Sequence, residues 1–281
     1  MRCLITGAGG LLGSALSTVM DRRGMEYKAL ARSDLDVTDC YATNRCIAAE
    51  NPDIVFHCAA LTDVDTAESE PNASFGVNAA GASNVAEACK AVESRMVFFS
   101  TDYVFDGAKR SPYLPHDEPD PLSVYGESKL AGENLVIASD VDLLLIRTSW
   151  LYGVVGENFV RSVIQHAREG TVLRLVDDQM GSPTWAEHVA EVTLDLVSQC
   201  ASGTYHVSNQ GEASWYDLGL EILSICGLHC EIKPISTEDW GAPAPRPCYS
   251  VLDSSNAEVI LGRRMTPWRE ALKRFIEEGL R

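Results

Sequence analysis

Short apolar runs recur through the first half of the chain, at residues 2–6, Tyr27–Ala31, Ile54–Cys58, Met96–Ser100 and Leu143–Arg147, each bounded by turn-forming residues. Apolar character that is continuous over so few residues suits interior strands of a parallel sheet, covered on both faces. Between them, Leu11–Met20, Asn72–Glu93 and Leu122–Ala138 carry apolar positions at helical spacing. Strand and helix in alternation predict an α/β fold, a doubly wound parallel sheet with ligands at the carboxyl ends of its strands. The texture changes after Arg147-Thr148-Ser149-Trp150, where loops rich in Gly, Pro and aromatics begin. A helix over Thr184–Gln199 and a strand over Gly203–Ser208 are predicted to return to the main sheet, and the other late segments to form a smaller lobe over the cleft. No internal repeat or low-complexity tract interrupts the pattern.

Between the first strand and the first helix lies Thr6-Gly7-Ala8-Gly9-Gly10-Leu11-Leu12-Gly13, with Gly7, Gly10 and Gly13 spaced G-x-x-G-x-x-G. Glycines there permit a tight turn and close backbone approach to a pyrophosphate, which the N-terminus of the next helix faces. A glycine turn that binds nothing is the alternative, and the strand–loop–helix setting disfavours it. The sheet is therefore predicted to be Rossmann-type. Residues 1–150 and 184–212 are expected to form the dinucleotide-binding domain, and residues 151–183 and 213–281 a C-terminal substrate-binding lobe. Cofactor contacts are expected at Gly7, Gly10, Leu11, Leu12 and Gly13, with Ala59, Ala60 and Thr62 following the third strand.

The carboxylate that grips an NAD ribose usually follows the second strand. Here Lys28-Ala29-Leu30-Ala31-Arg32-Ser33 offers none until Asp34, and Arg32 with Ser33 stands where a 2′-phosphate would be welcomed. NADPH is the expected cofactor. Asp34 and Asp36 close behind leave NADH open as a second one, and Asp36 and Val37 are placed for the adenine edge. The competing reading of Arg32 is a solvated turn residue.

Chemistry enters with Ser100-Thr101-Asp102-Tyr103 and, downstream, Tyr125-Gly126-Glu127-Ser128-Lys129. On a helix, Lys129 lies one turn beyond Tyr125 on the same face. A phenol near its ordinary pKa of about 10 is a poor acid at neutral pH, and an adjacent ammonium favours the phenolate and lowers that value. With the Thr101 hydroxyl, the pair can exchange a proton with a carbonyl or alcohol oxygen while a hydride moves at carbon. Tyr-x-x-x-Lys by itself also fits a packed tyrosine and a solvated lysine. Joined to the glycine loop, the catalytic reading is the stronger.

Composition narrows the partners. The formal net charge of −17 and 46% hydrophobic content argue against disorder and against nucleic-acid or anionic-membrane binding, which want basic patches. An anionic substrate stays open, since a helix N-terminus and a few arginines can gather phosphate. No apolar stretch is long enough to span a bilayer. Nine scattered cysteines without a secretory leader favour free thiols in a reducing cytoplasm. Cys226 and Cys230 lack a second ligand pair at zinc-site spacing, so no metal is expected there. His116, His166, His188, His206 and His229 read as structural or surface residues.

Across nearly its whole length the chain resembles the extended short-chain dehydrogenase/reductases, and within them the dTDP-4-dehydrorhamnose reductase family. The matching blocks are Thr6–Gly13, His57–Asp65, Glu68–Pro71, Ser100–Phe105, Pro121–Glu133, Arg147–Gly153, Gln179–Thr184 and Arg246-Pro247. The resemblance implies a keto-sugar nucleotide substrate reduced at C4, with dTDP-L-rhamnose as product. It implies Tyr125 as proton donor, Lys129 holding the nicotinamide ribose and lowering the phenol pKa, and Thr101 bonding the C4 oxygen. The sugar nucleotide is implied to lie against Thr62, Val64, Thr101, Tyr103, Tyr125 and Trp150, with Asn158 and Arg246 as further contacts. Ordinary core packing is the competing reading for Tyr103 and Trp150, and a surface arginine between prolines for Arg246. His57 departs from the asparagine often found at its place.

Related dehydratases follow the threonine with an Asp-Glu pair, but here Asp102 is followed by Tyr103, which disfavours water elimination. A non-enzymatic relative, the regulatory beta subunit of methionine adenosyltransferase, is the rival of a different class. The retained Thr101, Tyr125 and Lys129 favour an enzyme, and other 4-keto-6-deoxysugars remain open as substrates. Some family members bridge a dimer through magnesium held by clustered glutamates. At the corresponding helix position this chain has Ala15, and Glu187 alone matches a second ligand. The expectation is no metal, and a monomer or a homodimer built without one.

Overall fold

The computed structural model describes residues 1–280. Its centre is a parallel sheet of six strands: β1 (Cys3–Thr6), β2 (Tyr27–Leu30), β3 (Ile54–His57), β4 (Arg95–Thr101), β5 (Leu143–Thr148) and β6 (Gly203–His206). Their order is β2-β1-β3-β4-β5-β6, every pair parallel. The doubly wound α/β expectation holds, and the strand boundaries agree with the apolar runs to within a residue or two.

Successive strand side chains point to opposite faces, and both faces are buried. Cys3, Ile5, Phe56, Val97, Phe99, Leu144 and Ile146 pack on one side with Leu16 and Val19 of α1 (Leu11–Arg22) and Val189 of α8 (Ala186–Ser198). Leu4, Val55, Met96, Phe98 and Leu145 pack on the other, against Ile47 of α2 (Cys40–Glu50), Val85 and Cys89 of α5 (Ala82–Ala91), and Val136 of α6 (Val124–Ala138). Continuous apolar runs are thus what these strands require. The short helix α3 (Val64–Ser69) follows β3, with Asp63 as its N-cap.

The helix expected over Asn72–Glu93 differs in its middle. It runs as α4 (Pro71–Phe75), a π-helical segment Gly76–Gly81, and then α5. Asn78 in the widened turn exchanges two hydrogen bonds with the Leu61 backbone, 2.8 and 3.0 Å, and its side-chain nitrogen also donates to the Ser128 hydroxyl at 3.0 Å. These bonds tie the loop after β3 to α6. Wider turns of this kind are often found at functional sites.

Beyond β5, α7 (Phe159–Arg168) packs against α9 (Trp215–Cys226), and strand Leu173–Val176 pairs in parallel with Ile232–Ile235. Tyr152, Val163, Leu175, Leu218, Ile222 and Phe275 belong to their common core. A one-turn helix, α10 (Thr237–Trp240), precedes the Arg246 segment. From α11 (Ser255–Leu261) onward the chain folds back, and Ala257 and Met265 join the core under α8. Among the described residues no helix is long and apolar enough to cross a membrane.

Candidate active site

A cleft of about 540 Å³ lies at the carboxyl ends of β1, β3, β4 and β5. At its first wall Gly7 has φ +67°, and a Cβ there would sit 2.5 Å from the Ala59 backbone nitrogen. Gly13 is as constrained, since its Cβ would lie 2.5 Å from the Gly7 carbonyl oxygen. Gly7, Gly13 and Ala59 therefore pack strand ends and helix start together, while Gly10, Leu11 and Leu12 line the cleft. Gly10 caps α1 without a side chain, and no acidic residue occupies the first turn. The unpaired N–H groups and positive end of the helix dipole suit an anion. This glycine cradle fits a dinucleotide.

The opposite wall begins with α6. Ser123 caps it by accepting the Gly126 N–H, and Glu68 accepts the Val124 N–H at 2.8 Å, which fixes Tyr125 in the first turn. Lys129 lies one turn on, its ammonium donating to the Phe99 carbonyl at 2.7 Å and sitting 4.5 Å over the Phe98 ring. Thr101 closes β4, donating to Asp102 Oδ1 at 3.1 Å and accepting the Tyr103 N–H at 3.2 Å. The Tyr103 ring meets Tyr125 edge-on at 5.6 Å. Thr62, Val64 and Ala60 line the same cleft, as do Trp150 and Asn158.

Burial dominates the electrostatics. It pushes the Tyr125 phenol up to about 12, against the lowering effect of its bond to Thr101. That corrects the expectation of a phenol lowered by Lys129: burial is the largest influence, the Asp102 charge adds to it, and only the bond to Thr101 opposes it. Burial also pulls Lys129 down to about 8, opposed by Glu133 and Cys58. His57, which bonds Thr6 at 2.8 Å, falls to about 3 through burial and the Lys129 charge, so it is a neutral ring. Asp102 rises to about 7 through burial, opposed by the hydroxyls of Ser250 and Thr101.

Arg246, Arg32, Ser33, Asp36 and Val37 lie outside the lining of the cleft, whereas Asn158 belongs to it. Arg246 is half-buried against Asp65, with bonds of 3.1 and 2.9 Å, and stacks 4.5 Å over Trp240. That pair joins two of the blocks noted in the sequence and sets the guanidinium beside Tyr103 of the cleft wall. Arg32 and Ser33 are exposed beyond β2. Asp36 accepts the Thr38 N–H and hydroxyl at 3.0 and 2.8 Å, and Val37 is buried. Asn158 caps α7 and donates to the Gly153 carbonyl at 2.8 Å.

Other residues enter the cleft unannounced. Ser100, Asp102, Thr148 and His57 belong to its lining, and Ser100 Oγ, Thr148 Oγ1 and His57 Nε2 are buried without a protein partner. Ser100 and Asp102 flank Thr101 in sequence, so the strand end was the available signal. Trp215 had none: it comes from α9 and stacks on Trp150, centroids 3.6 Å apart and planes 3° from parallel. Trp150 itself has φ +44°, a conformation that costs about 1–3 kcal/mol for a bulky residue. Stacking worth about 0.5–1.5 kcal/mol helps to hold it. On the outer faces of α1 and α8, Glu187 accepts a 2.7 Å bond from Arg22. Among the described residues no three His, Cys, Asp or Glu side chains converge as a metal site.

A parallel sheet whose first helix opens on a glycine-built turn, facing a tyrosine, a lysine and a threonine across one cleft, defines an extended short-chain dehydrogenase/reductase. Residues 1–281 match the family model described as RmlD substrate binding domain, and the chain belongs to that family. It is 40% identical over 279 residues to a dTDP-4-dehydrorhamnose reductase of Streptomyces griseus, which covers 96% of this chain and 91% of the relative. It is 39% identical over 277 residues to the spore coat polysaccharide biosynthesis protein SpsK of Bacillus subtilis strain 168, covering 99% and 97%. A solved structure of dTDP-4-dehydrorhamnose reductase from Bacillus anthracis in complex with NADP is similar with a TM-score of 0.95, at 38% identity and 99% coverage of both chains.

Proposed function

We propose that the protein reduces the C4 ketone of a dTDP-linked 6-deoxy-4-keto sugar with NADPH, taking dTDP-4-dehydro-L-rhamnose to dTDP-L-rhamnose. The observation that carries this reading is the convergence of Tyr125, Lys129 and Thr101 on one cleft with the glycine cradle, in a chain of this family. NADPH, when bound, supplies the hydride. Thr101 orients the ketone oxygen, and the Tyr125 hydroxyl donates the proton that turns it into an alcohol. Lys129, cationic near neutral pH, steadies the phenolate left behind. Asp102 flanks Thr101 and accepts its hydroxyl. Trp150, Thr62, Val64 and Tyr103 supply the walls for the sugar nucleotide. Cofactor binding is assigned to residues 1–150 and 184–212, and substrate binding to 151–183 and 213–281. Following the absorbance of NADPH with dTDP-4-dehydro-L-rhamnose, and identifying the product sugar, tests the reading; no oxidation above the cofactor-only rate would end it.

Arg32 is the proposed contact for the 2′-phosphate, with Ser33 beside it, so NADPH is preferred to NADH. Bonds to a charged partner are worth about 1.5–3 kcal/mol, and Arg32→Ala is expected to lower kcat/KM for NADPH about ten- to a hundredfold, leaving NADH little changed. A wild-type preference for NADH would refute the assignment.

The proposed assembly is a monomer or a homodimer with no bridging metal. Ala15 offers no oxygen ligand, and Glu187 is engaged by Arg22; a divalent magnesium site outside a phosphate needs several converging oxygens. Activity and sedimentation are expected to be the same with and without EDTA. A dimer that dissociates on chelation would overturn this. The cytoplasm is the proposed compartment, in keeping with nine cysteines that are all free thiols.

A further inference from the structure

The two stacked indoles are fixed by one short stretch of chain. Trp215 donates its ring N–H to Gln179 Oε1 at 3.0 Å. Gln179 is buried, and its amide donates to Thr237 Oγ1 at 3.0 Å, whose hydroxyl in turn bonds Asp178 at 2.6 Å. Two residues further on, Gly181 packs directly on Trp150: a Cβ there would fall 2.2 Å from the indole ring. The same short stretch thus orients the Trp215 ring through a hydrogen bond and leaves room for the Trp150 ring through a missing side chain. Phe159 braces Trp215 with its centroid 4.7 Å away. Both tryptophans border the cleft.

A core residue needs only apolar neighbours. Trp215 has a parallel partner, a dedicated acceptor that is itself anchored, and a place on the cleft wall. We propose that Trp215, held by Gln179, is a positioning residue that sets the Trp150 indole for the sugar nucleotide, and with it the fit of the sugar in the cleft. This rests on the reading of Trp150 as a sugar-nucleotide contact. Because Trp215 opens α9 and is bonded to Gln179 while Trp150 follows β5, the stack also couples the orientation of the substrate wall to packing beyond the sheet.

The test uses the full chain with Trp215→Ala, Trp215→Phe and Gln179→Ala. In the ligand-free protein, two indoles stacked this closely perturb each other's near-ultraviolet absorption, and that perturbation is expected to vanish in Trp215→Ala. With dTDP-4-dehydro-L-rhamnose, the KM of Trp215→Ala is expected to rise about tenfold, the equivalent of losing one aromatic stack, while the Kd for NADPH stays at the wild-type value. Trp215→Phe restores most of the KM, and Gln179→Ala, which keeps the ring but frees its tilt, gives a few-fold rise. Binding of dTDP-L-rhamnose, followed by tryptophan fluorescence, separates the two ways of failing. Wild-type protein that neither binds nor reduces the sugar nucleotide overturns the proposed function and this inference with it. Wild-type activity with an unchanged KM in Trp215→Ala, or in Gln179→Ala where Trp215→Ala does not fold, overturns this inference alone.

Discussion

Tyr125→Phe is expected to lower kcat by about a hundred- to ten-thousandfold, the usual worth of a positioned general acid, with little change in the KM for the sugar nucleotide. The ring and its packing against Tyr103 survive the change, so only the proton at the phenol oxygen is lost. An interaction made in the transition state alone lowers kcat and kcat/KM together. The phenol is held up to about 12 by burial, so it carries its proton throughout the neutral range and its own ionisation does not shape the pH profile there. Lys129 does, because burial brings it to about 8. Below that pH the ammonium is present to meet a developing phenolate; above it the charge is gone. The profile of kcat/KM, which reports the free enzyme, is therefore expected to fall on the alkaline side of about pH 8. Steady-state kinetics across pH check both statements. Near-wild-type turnover in Tyr125→Phe would remove the tyrosine from its role, and a flat profile to pH 9 would remove the lysine from its own.

The parts of this site that were legible in the sequence are those set by local rules. Strand ends, the glycine spacing and the one-turn separation of Tyr125 and Lys129 depend on a few consecutive residues, and a parallel sheet brings its strand ends to one side. Thr101 and the α1 turn meet for that reason. The π-helical segment was not legible: residues 72–93 carry an ordinary helical pattern, and the extra width is tied to Asn78 bonds that reach Leu61 and Ser128. The ion pair of Arg246 with Asp65 was not legible either, since the two lie far apart in sequence. The phenol pKa departs from its sequence expectation for a related reason. A neighbouring lysine is visible in a sequence, whereas depth of burial is a property of the packed whole, and for Tyr125 depth decides the sign. Trp215 belongs with these, since only the fold brings α9 to Trp150.

Removing the carboxylate of Glu133 is expected to be among the most destabilising single changes in the chain. Glu133 on α6 and Arg147 on β5 form a two-point ion pair, 3.0 and 2.6 Å, with side chains only 2% and 6% exposed. Arg147 also donates to the Pro115 carbonyl at 3.3 Å and lies 5.2 Å over the Phe105 ring, so it cannot swing out to water. Glu133→Ala strands a buried guanidinium, and breaking such a pair from one side costs about 3–5 kcal/mol, a large part of the 5–15 kcal/mol that typically separates folded from unfolded chains. Replacing both partners by apolar residues of similar size, Glu133→Leu with Arg147→Met, removes the stranded charge and is expected to cost much less. Urea unfolding of the three proteins measures the difference, and a double variant no more stable than Glu133→Ala would contradict it. The pair also reaches the chemistry. Glu133 is the principal charge raising Lys129 against burial, so in any Glu133 variant that folds, the lysine should titrate lower. The alkaline fall in kcat/KM is then expected to begin below its wild-type position, which links a structural ion pair on α6 to the pH range in which Tyr125 has its cation.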